Sequence, residues 1–369
     1  MPQSTLWQFS LQALHAVAWL APLALALLCA IRFGRLRTIV VLTAVLTLIL
    51  VALGAYVRLT DAGLGCPDWP GCYGKLSPLH AAEDISAAQS RTPAGPVSGP
   101  KAWREMLHRY LATVVGALIV AIVVRTGIER RRQPSLRRAR EYHYGLPVAL
   151  LGAVILQGLF GKWTVTLLLK PAVVTLHLIG GMLTLGLLVW LAVRHYGREF
   201  ESATRTSPTL RAWAAVALVA VVAQIVLGGW VSTNYAALAC TDFPTCHGTW
   251  IPEMDFRHGF HVVRELGMTA HGAPLSNDAL NAIHWTHRAG AIVVTVIVGS
   301  LAAALLRPRE RRMLGAGLML VLVAQVIFGV ANVVAGLPLP VAVIHNATAA
   351  LLLSWLVMLN FALRPKSPH

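Results

Sequence analysis

The chain has 369 residues, of which 56% are hydrophobic and only 12% charged. Soluble domains usually carry about 25% charged residues, so this sequence lacks the polar surface that a water-soluble fold would need. Its formal net charge of +16 would suit a nucleic-acid binder, but the basic residues fall in alternate loops, the pattern of membrane topology, and no nucleic-acid partner is expected.

Roughly 20 helical residues cross the hydrocarbon core of a bilayer. In chain order, apolar stretches of that length cover 11–31, 39–59, 103–125, 146–165, 171–193, 211–233, 282–306, 313–336 and 340–363. The first has no positive segment before it, and Arg32-Phe33-Gly34-Arg35 forms no small-residue cleavage site. It therefore reads as a retained accessory helix rather than a signal peptide. Positive clusters lie at Arg32–Arg37, Arg125–Arg140, Arg194–Arg211, Arg307–Arg312 and Arg364–Lys366, which places those loops and the C-terminus in the cytoplasm. The intervening loops, 60–102, 166–170, 234–281 and 337–339, carry far fewer Lys and Arg and face outward. Within them, residues 80–100 are rich in Ala, Ser, Pro and Gly and read as a flexible insertion. His247, His258, His261 and His271 lack tight ligand spacing and read as loop histidines of mixed role.

An internal repeat organises the rest. Leu53-Gly54-Ala55-Tyr56-Val57 followed by Cys66-Pro-Asp-Trp-Pro-Gly-Cys72 is matched by Leu227-Gly228-Gly229-Trp230-Val231 followed by Cys240-Thr-Asp-Phe-Pro-Thr-Cys246. Each reads as an apolar helix ending in a Gly-rich turn, then a C-x5-C loop. His108-Arg109 is matched by His287-Arg288, Gln157-x-x-Phe160-Gly161 by Gln325-x-x-Phe328-Gly329, and His177 by His345. The expected fold is all-α and integral to the membrane. It comprises two pseudo-symmetric four-helix bundles in parallel repeat, with an extra helix in 1–37 and halves at 38–205 and 206–369. In an oxidising compartment Cys66/Cys72 and Cys240/Cys246 are disulfide candidates, while Cys29 reads as a buried thiol.

His108, His177, His287 and His345 each lie five or six residues inside the outer end of an expected helix. At about 1.5 Å per residue, that is a common depth of roughly 8–9 Å. Polar residues inside membrane helices are costly and usually functional. A lone histidine there is more often an interhelical hydrogen-bond donor. Four at matched depth, in duplicated pairs, point to two bis-histidine heme sites within the bundles. Arg109, Arg288 and Arg58 are candidate partners for heme propionates, although an arginine at a helix end also simply snorkels to the interface. Gln157 and Gln325 read as helix-packing hydrogen bonds rather than ligands. Glu105 precedes His108 by three residues, whereas His284 holds the equivalent place before His287. Glu105 reads equally as a proton acceptor and as a helix-start acid favoured by the dipole.

These motifs resemble those of the heme A synthase family. The stretch from Gly54 to Cys72 is similar to that family's first outer loop. Glu105-Met-Leu-His108-Arg109 resembles its E-x-x-H-R motif, and His177, His287-Arg288 and His345-Asn346 its other histidine helices. The resemblance covers about 39–363. It implies oxidation of the C8 methyl of heme O to a formyl group, by successive hydroxylations, to give heme A for terminal cytochrome oxidase. It also implies a heme b cofactor ligated by His287 and His345, and a substrate site formed by His108, His177 and Arg109. Glu105 would be catalytic, and Cys66–Cys72 and Cys240–Cys246 would be disulfides. The implied setting is the bacterial inner membrane, with cysteine loops and histidine ends periplasmic. Membrane lipid is a partner, heme O synthase and oxidase assembly factors are further partners to consider, and a homo-oligomer is compatible. The competing readings are a quinol-linked di-heme b-type electron carrier, which needs no acid beside one pair, and a heme transporter.

Overall fold

The computed structural model describes residues 31–32, 34–137, 142–196 and 207–364. The first expected span, 11–31, and Cys29 lie outside the described residues apart from Ile31. Eight helices are long and apolar enough to cross a membrane. They are α1 Leu36–Leu59, α3 Gly99–Arg132, α4 Gly145–Thr166, α5 Pro171–His195, α6 Pro208–Thr233, α8 Asn277–Leu306, α9 Arg312–Val334 and α10 Leu339–Ala362. Two shorter helices, α2 Ala82–Arg91 and α7 Phe256–Gly259, lie in the long loops. In lipid a helix is favoured because it satisfies every backbone amide within the segment.

Helix starts follow local chemistry. Proline occupies the first turn of α3, α5, α6 and α10, where its missing N–H costs nothing. Ser207 and Ser276 cap α6 and α8 by accepting from the amides of Leu210 and Ala279. Helices α3 and α8 begin before the apolar windows at 103 and 282, so each carries a polar first turn outside the hydrophobic stretch. The short α4–α5 and α9–α10 connections turn through left-handed residues, Leu168 and Leu169 in one and Gly336 and Leu337 in the other.

In the N-terminal half the helices neighbour one another in the ring α1–α3–α4–α5, and in the C-terminal half in the ring α6–α8–α9–α10. Each half has its own apolar core, around Ile119, Leu150 and Leu188 in the first and around Leu301, Leu318 and Leu356 in the second. The halves meet through α1 against α10 and α5 against α6, with α5 also touching α10. Repeat-equivalent helices therefore exchange roles across the junction, as a two-fold relation requires. Met182, Leu185, Ala350, Leu353 and Val357 fill this seam. Large side chains such as Val219, Ile292 and Leu320 point outward, as lipid-facing residues do.

Two sequence expectations need correction. Gly54 and Gly228 lie inside α1 and α6 rather than in turns. The 80–100 insertion contains α2, anchored by buried Ile85 and by a 2.9 Å Lys75–Asp84 ion pair. Its Ala, Glu and Gln are good helix formers, and Ile85 packs with Cys66, Cys72, Ala102 and Met106. Composition alone did not reveal that one anchoring residue.

Candidate heme sites

The four histidines sit on α3 and α5 in one half and on α8 and α10 in the other. These are opposite members of each four-helix ring, so each pair faces across its bundle. The rings of His108 and His177 stand 6.5 Å apart, centre to centre. A metal between two imidazoles needs about 2 Å per metal–nitrogen bond plus about 1 Å from each nitrogen to its ring centre, so roughly 6 Å in all.

Each histidine is backed by a glycine on a neighbouring helix. A Cβ on Gly54 would come within 3.1 Å of His108 Cε1, and one on Gly161 within 3.4 Å of His177 Cε1. Gly228 and Gly329 stand equally close to His287 and His345, at 3.0 Å each. At Gly54, Gly228 and Gly329 even an alanine would press on the ring, whereas at Gly161 it would only reach contact. The Nδ1 atoms of His108, His177 and His345 are buried with no hydrogen-bond partner among the described residues. Buried imidazole nitrogens left free in this way suit ligands that await a metal. On these observations the residues of each histidine pair fit a heme, which the two imidazoles would hold.

A glutamine lies one turn before three of those glycines. Gln157 Nε2 donates to the His177 carbonyl at 2.5 Å. Gln224 Nε2 donates to the His287 carbonyl at 2.8 Å and lies 3.0 Å from its Nδ1. Gln325 Nε2 lies 3.4 Å from His345 Nε2, and Gln325 Oε1 accepts from Thr348. Gln157 and Gln325 were legible in the repeat. Gln224 was not, because its partner in the first half is Leu50.

Glu105 and His284 occupy one structural position. Glu105 is buried, with Oε2 accepting from the Cys66 amide at 2.9 Å and Oε1 2.5 Å from Arg109. His284 is equally buried, with Nδ1 accepting from the Cys240 amide at 3.2 Å and Nε2 3.3 Å from Arg288 Nε. Arg109 also donates to the carbonyls of Asp68, Pro70 and Gly71. Arg288 donates to those of Asp242, Thr245 and Cys240. Each arginine thus clamps its disulfide loop onto the histidine helix.

The loops themselves match. Disulfides join Cys66 to Cys72 and Cys240 to Cys246. Asp68 accepts from the amides of Tyr73 and Gly74, and Asp242 from those of His247 and Gly248. Arg58 spans the halves, donating to Ser232 O at 2.8 Å while stacking on Tyr235. Of the loop histidines, His258 pairs with Asp255 and His247 with Asn281.

Fold and sites together define a multi-pass membrane protein duplicated into two four-helix bundles, each with a facing histidine pair. Residues 37–357 match the family model described as cytochrome oxidase assembly protein. A relative named heme A synthase from Shewanella oneidensis is 39% identical over 88% of this chain and 96% of its own length. Others of that name, from Rhizorhabdus wittichii and Sphingopyxis alaskensis, are 30% and 29% identical over 91% and 84% of this chain and 96% and 87% of theirs. The chain belongs to the heme A synthase family.

Proposed function

We propose that this chain oxidises heme O to heme A, with substrate held between His108 and His177 and a heme b cofactor between His287 and His345. With water as the oxygen source, turning a methyl into a formyl group balances as R–CH3 + H2O → R–CHO + 4 H+ + 4 e−, with the electrons passing to an external acceptor. The site must therefore supply a proton acceptor beside the substrate and an outlet for electrons. Glu105 is the acceptor in this reading. It lies one turn from His108 on the same helix, and Arg109 and the Cys66 amide fix its two oxygens in place. Heme b, when bound in the second half, supplies the electron relay.

One observation carries the reading. At matched positions beneath the two disulfide loops, a carboxylate stands in the first half and an imidazole in the second. A symmetric electron carrier has no use for that difference. The cysteine loops and histidine ends belong on the periplasmic side of a bacterial inner membrane, supported by the basic clusters at the opposite helix ends.

Glu105→Gln keeps the hydrogen bond from Cys66 and removes the charge. The variant should retain heme yet make no heme A when supplied with heme O, as read by extraction and chromatography of its porphyrins. A normal yield of heme A would remove Glu105 from the mechanism.

A further inference from the structure

We infer that the junction between the two halves holds one anionic phospholipid, with an acyl chain in an apolar groove and its phosphate between Arg211 and Arg364. The groove is a cavity of about 350 Å³ bounded by α4, α5, α6 and α10. Leucine, isoleucine, valine, methionine, glycine and one tryptophan line it, and Leu183 and Val222 stand exposed at its lips. Ile179, which lines it, follows His177 by two residues and so lies on the opposite face of α5. The groove is therefore outside the ring that holds the first histidine pair.

Its length and its place match one half of a bilayer. On α5 the lining runs from Ile179 to Trp190, eleven positions or about 16 Å along the helix axis. A hydrocarbon core of about 30 Å divides into two leaflets of about 15 Å. The groove occupies the half nearer the basic helix ends, since Leu146 lies in the first turn of α4 and Trp190 in the last two turns of α5. In a bilayer, the molecule that offers an apolar rod of that length is a lipid acyl chain.

Charge decides which lipid. Arg211 stands seven residues before Leu218, nearly two full turns, and so shares the groove-lining face of α6. Its Nε is buried and meets no hydrogen-bond partner among the described residues. Arg364, just beyond α10, lays its guanidinium over the Trp190 ring at 3.9 Å from the centroid, which puts a second cation at the mouth of the groove. Trp190 in turn meets Phe361 edge-on at 5.7 Å. Tryptophan at a helix end marks the headgroup level, and basic pockets between helices on such a face recognise anionic headgroups. Seated there, the lipid joins helices of both halves at the end of the junction opposite the Arg58 and Tyr235 contacts.

The test uses the full-length protein in detergent, titrated with dioleoyl phosphatidylglycerol or dioleoyl phosphatidylcholine. Native mass spectrometry counts the lipids retained, and the thermal midpoint reports their effect on the fold. One phosphatidylglycerol per chain should be retained where phosphatidylcholine is not, and the midpoint should climb with phosphatidylglycerol alone. A cation at the membrane surface strengthens anionic-lipid binding about fivefold, so Arg211→Gln with Arg364→Gln should weaken phosphatidylglycerol binding about 25-fold. Val222→Trp, at the exposed lip, should abolish retention by filling the groove. Arg307→Gln with Arg309→Gln removes as much charge from the turn between α8 and α9, away from the junction, and should change nothing. Equal retention of the two lipids by the unaltered protein would overturn the inference. So would full phosphatidylglycerol binding in either groove variant, or an equal loss in the variant of the α8–α9 turn. An isoprenoid quinone retained in place of a phospholipid, identified by its mass in protein taken straight from the membrane, would also overturn it.

Discussion

At the residue scale, glycine controls the space around each histidine. Gly329 lies within α9, and a Cβ there would stand 3.0 Å from His345 Cε1, closer than carbon atoms normally pack. Helix geometry alone would favour alanine at this position by about 1 kcal/mol. Gly329→Ala should therefore strengthen the isolated helix while pushing the ring aside, and Gly329→Val should do so further. The expected result is loss of heme from the second half in the order Gly, Ala, Val, measured as heme bound per protein. Equal heme content in all three would mean that the ring is free to move. Gln224 shows the converse, a polar side chain retained in an apolar helix because it satisfies a histidine on the next helix.

At the element scale, the C-x5-C loops are held by donors and acceptors that their own sequence supplies. The Thr245 hydroxyl and the Gly248 and His247 amides hold the Asp242 carboxyl well below the usual carboxylate range. A carboxylate depressed in the folded state adds stability that is full above its ordinary pKa of about 4 and declines as pH falls below that value. Loop stability should thus stay level through neutral and mildly acidic pH and fall only in stronger acid. Asp242→Asn should lower the thermal midpoint near neutrality and flatten the acid decline, as read by tryptophan fluorescence. The same acid dependence in both proteins would place the titrating group elsewhere. A second brace in this outer region is Arg264, buried against Trp230 and donating to Asn234 and to the carbonyls of His261 and Met268.

At the scale of the whole molecule, the halves join through an apolar seam closed at its outer end by polar contacts. Thr175 and Thr233 hydroxyls meet at 3.0 Å, and Tyr235 donates to Asp61 at 2.7 Å. Arg58 reaches from α1 to the last turn of α6. Removing one partner from a buried hydrogen bond typically costs about 1–3 kcal/mol. Arg58→Met should accordingly lower the unfolding midpoint while each half keeps its heme. An unchanged midpoint would show that the apolar seam alone sets the strength of the junction.

The sequence by itself determined the membrane class, the eight described spans, the duplication and the four histidines. Those features are local, since a run of apolar residues or a histidine within it is visible without knowing its neighbours. Glu105 was legible because its asymmetry with His284 lies within aligned repeats. What only the tertiary structure decided was who stands behind each histidine. Gln224 precedes His287 by a whole loop and lies on a different helix, and its equivalent Leu50 breaks the repeat, so no periodicity marks it. Gly54 and Gly228 looked like turn formers because the space they leave serves a histidine on a neighbouring helix. Arg109 and Arg288 likewise had open partners until the loops folded back over the bundle ends and their carbonyls took up the guanidinium donors. Helical periodicity fixes which face a side chain occupies, but only the order of helices around each ring decides which residue it meets there.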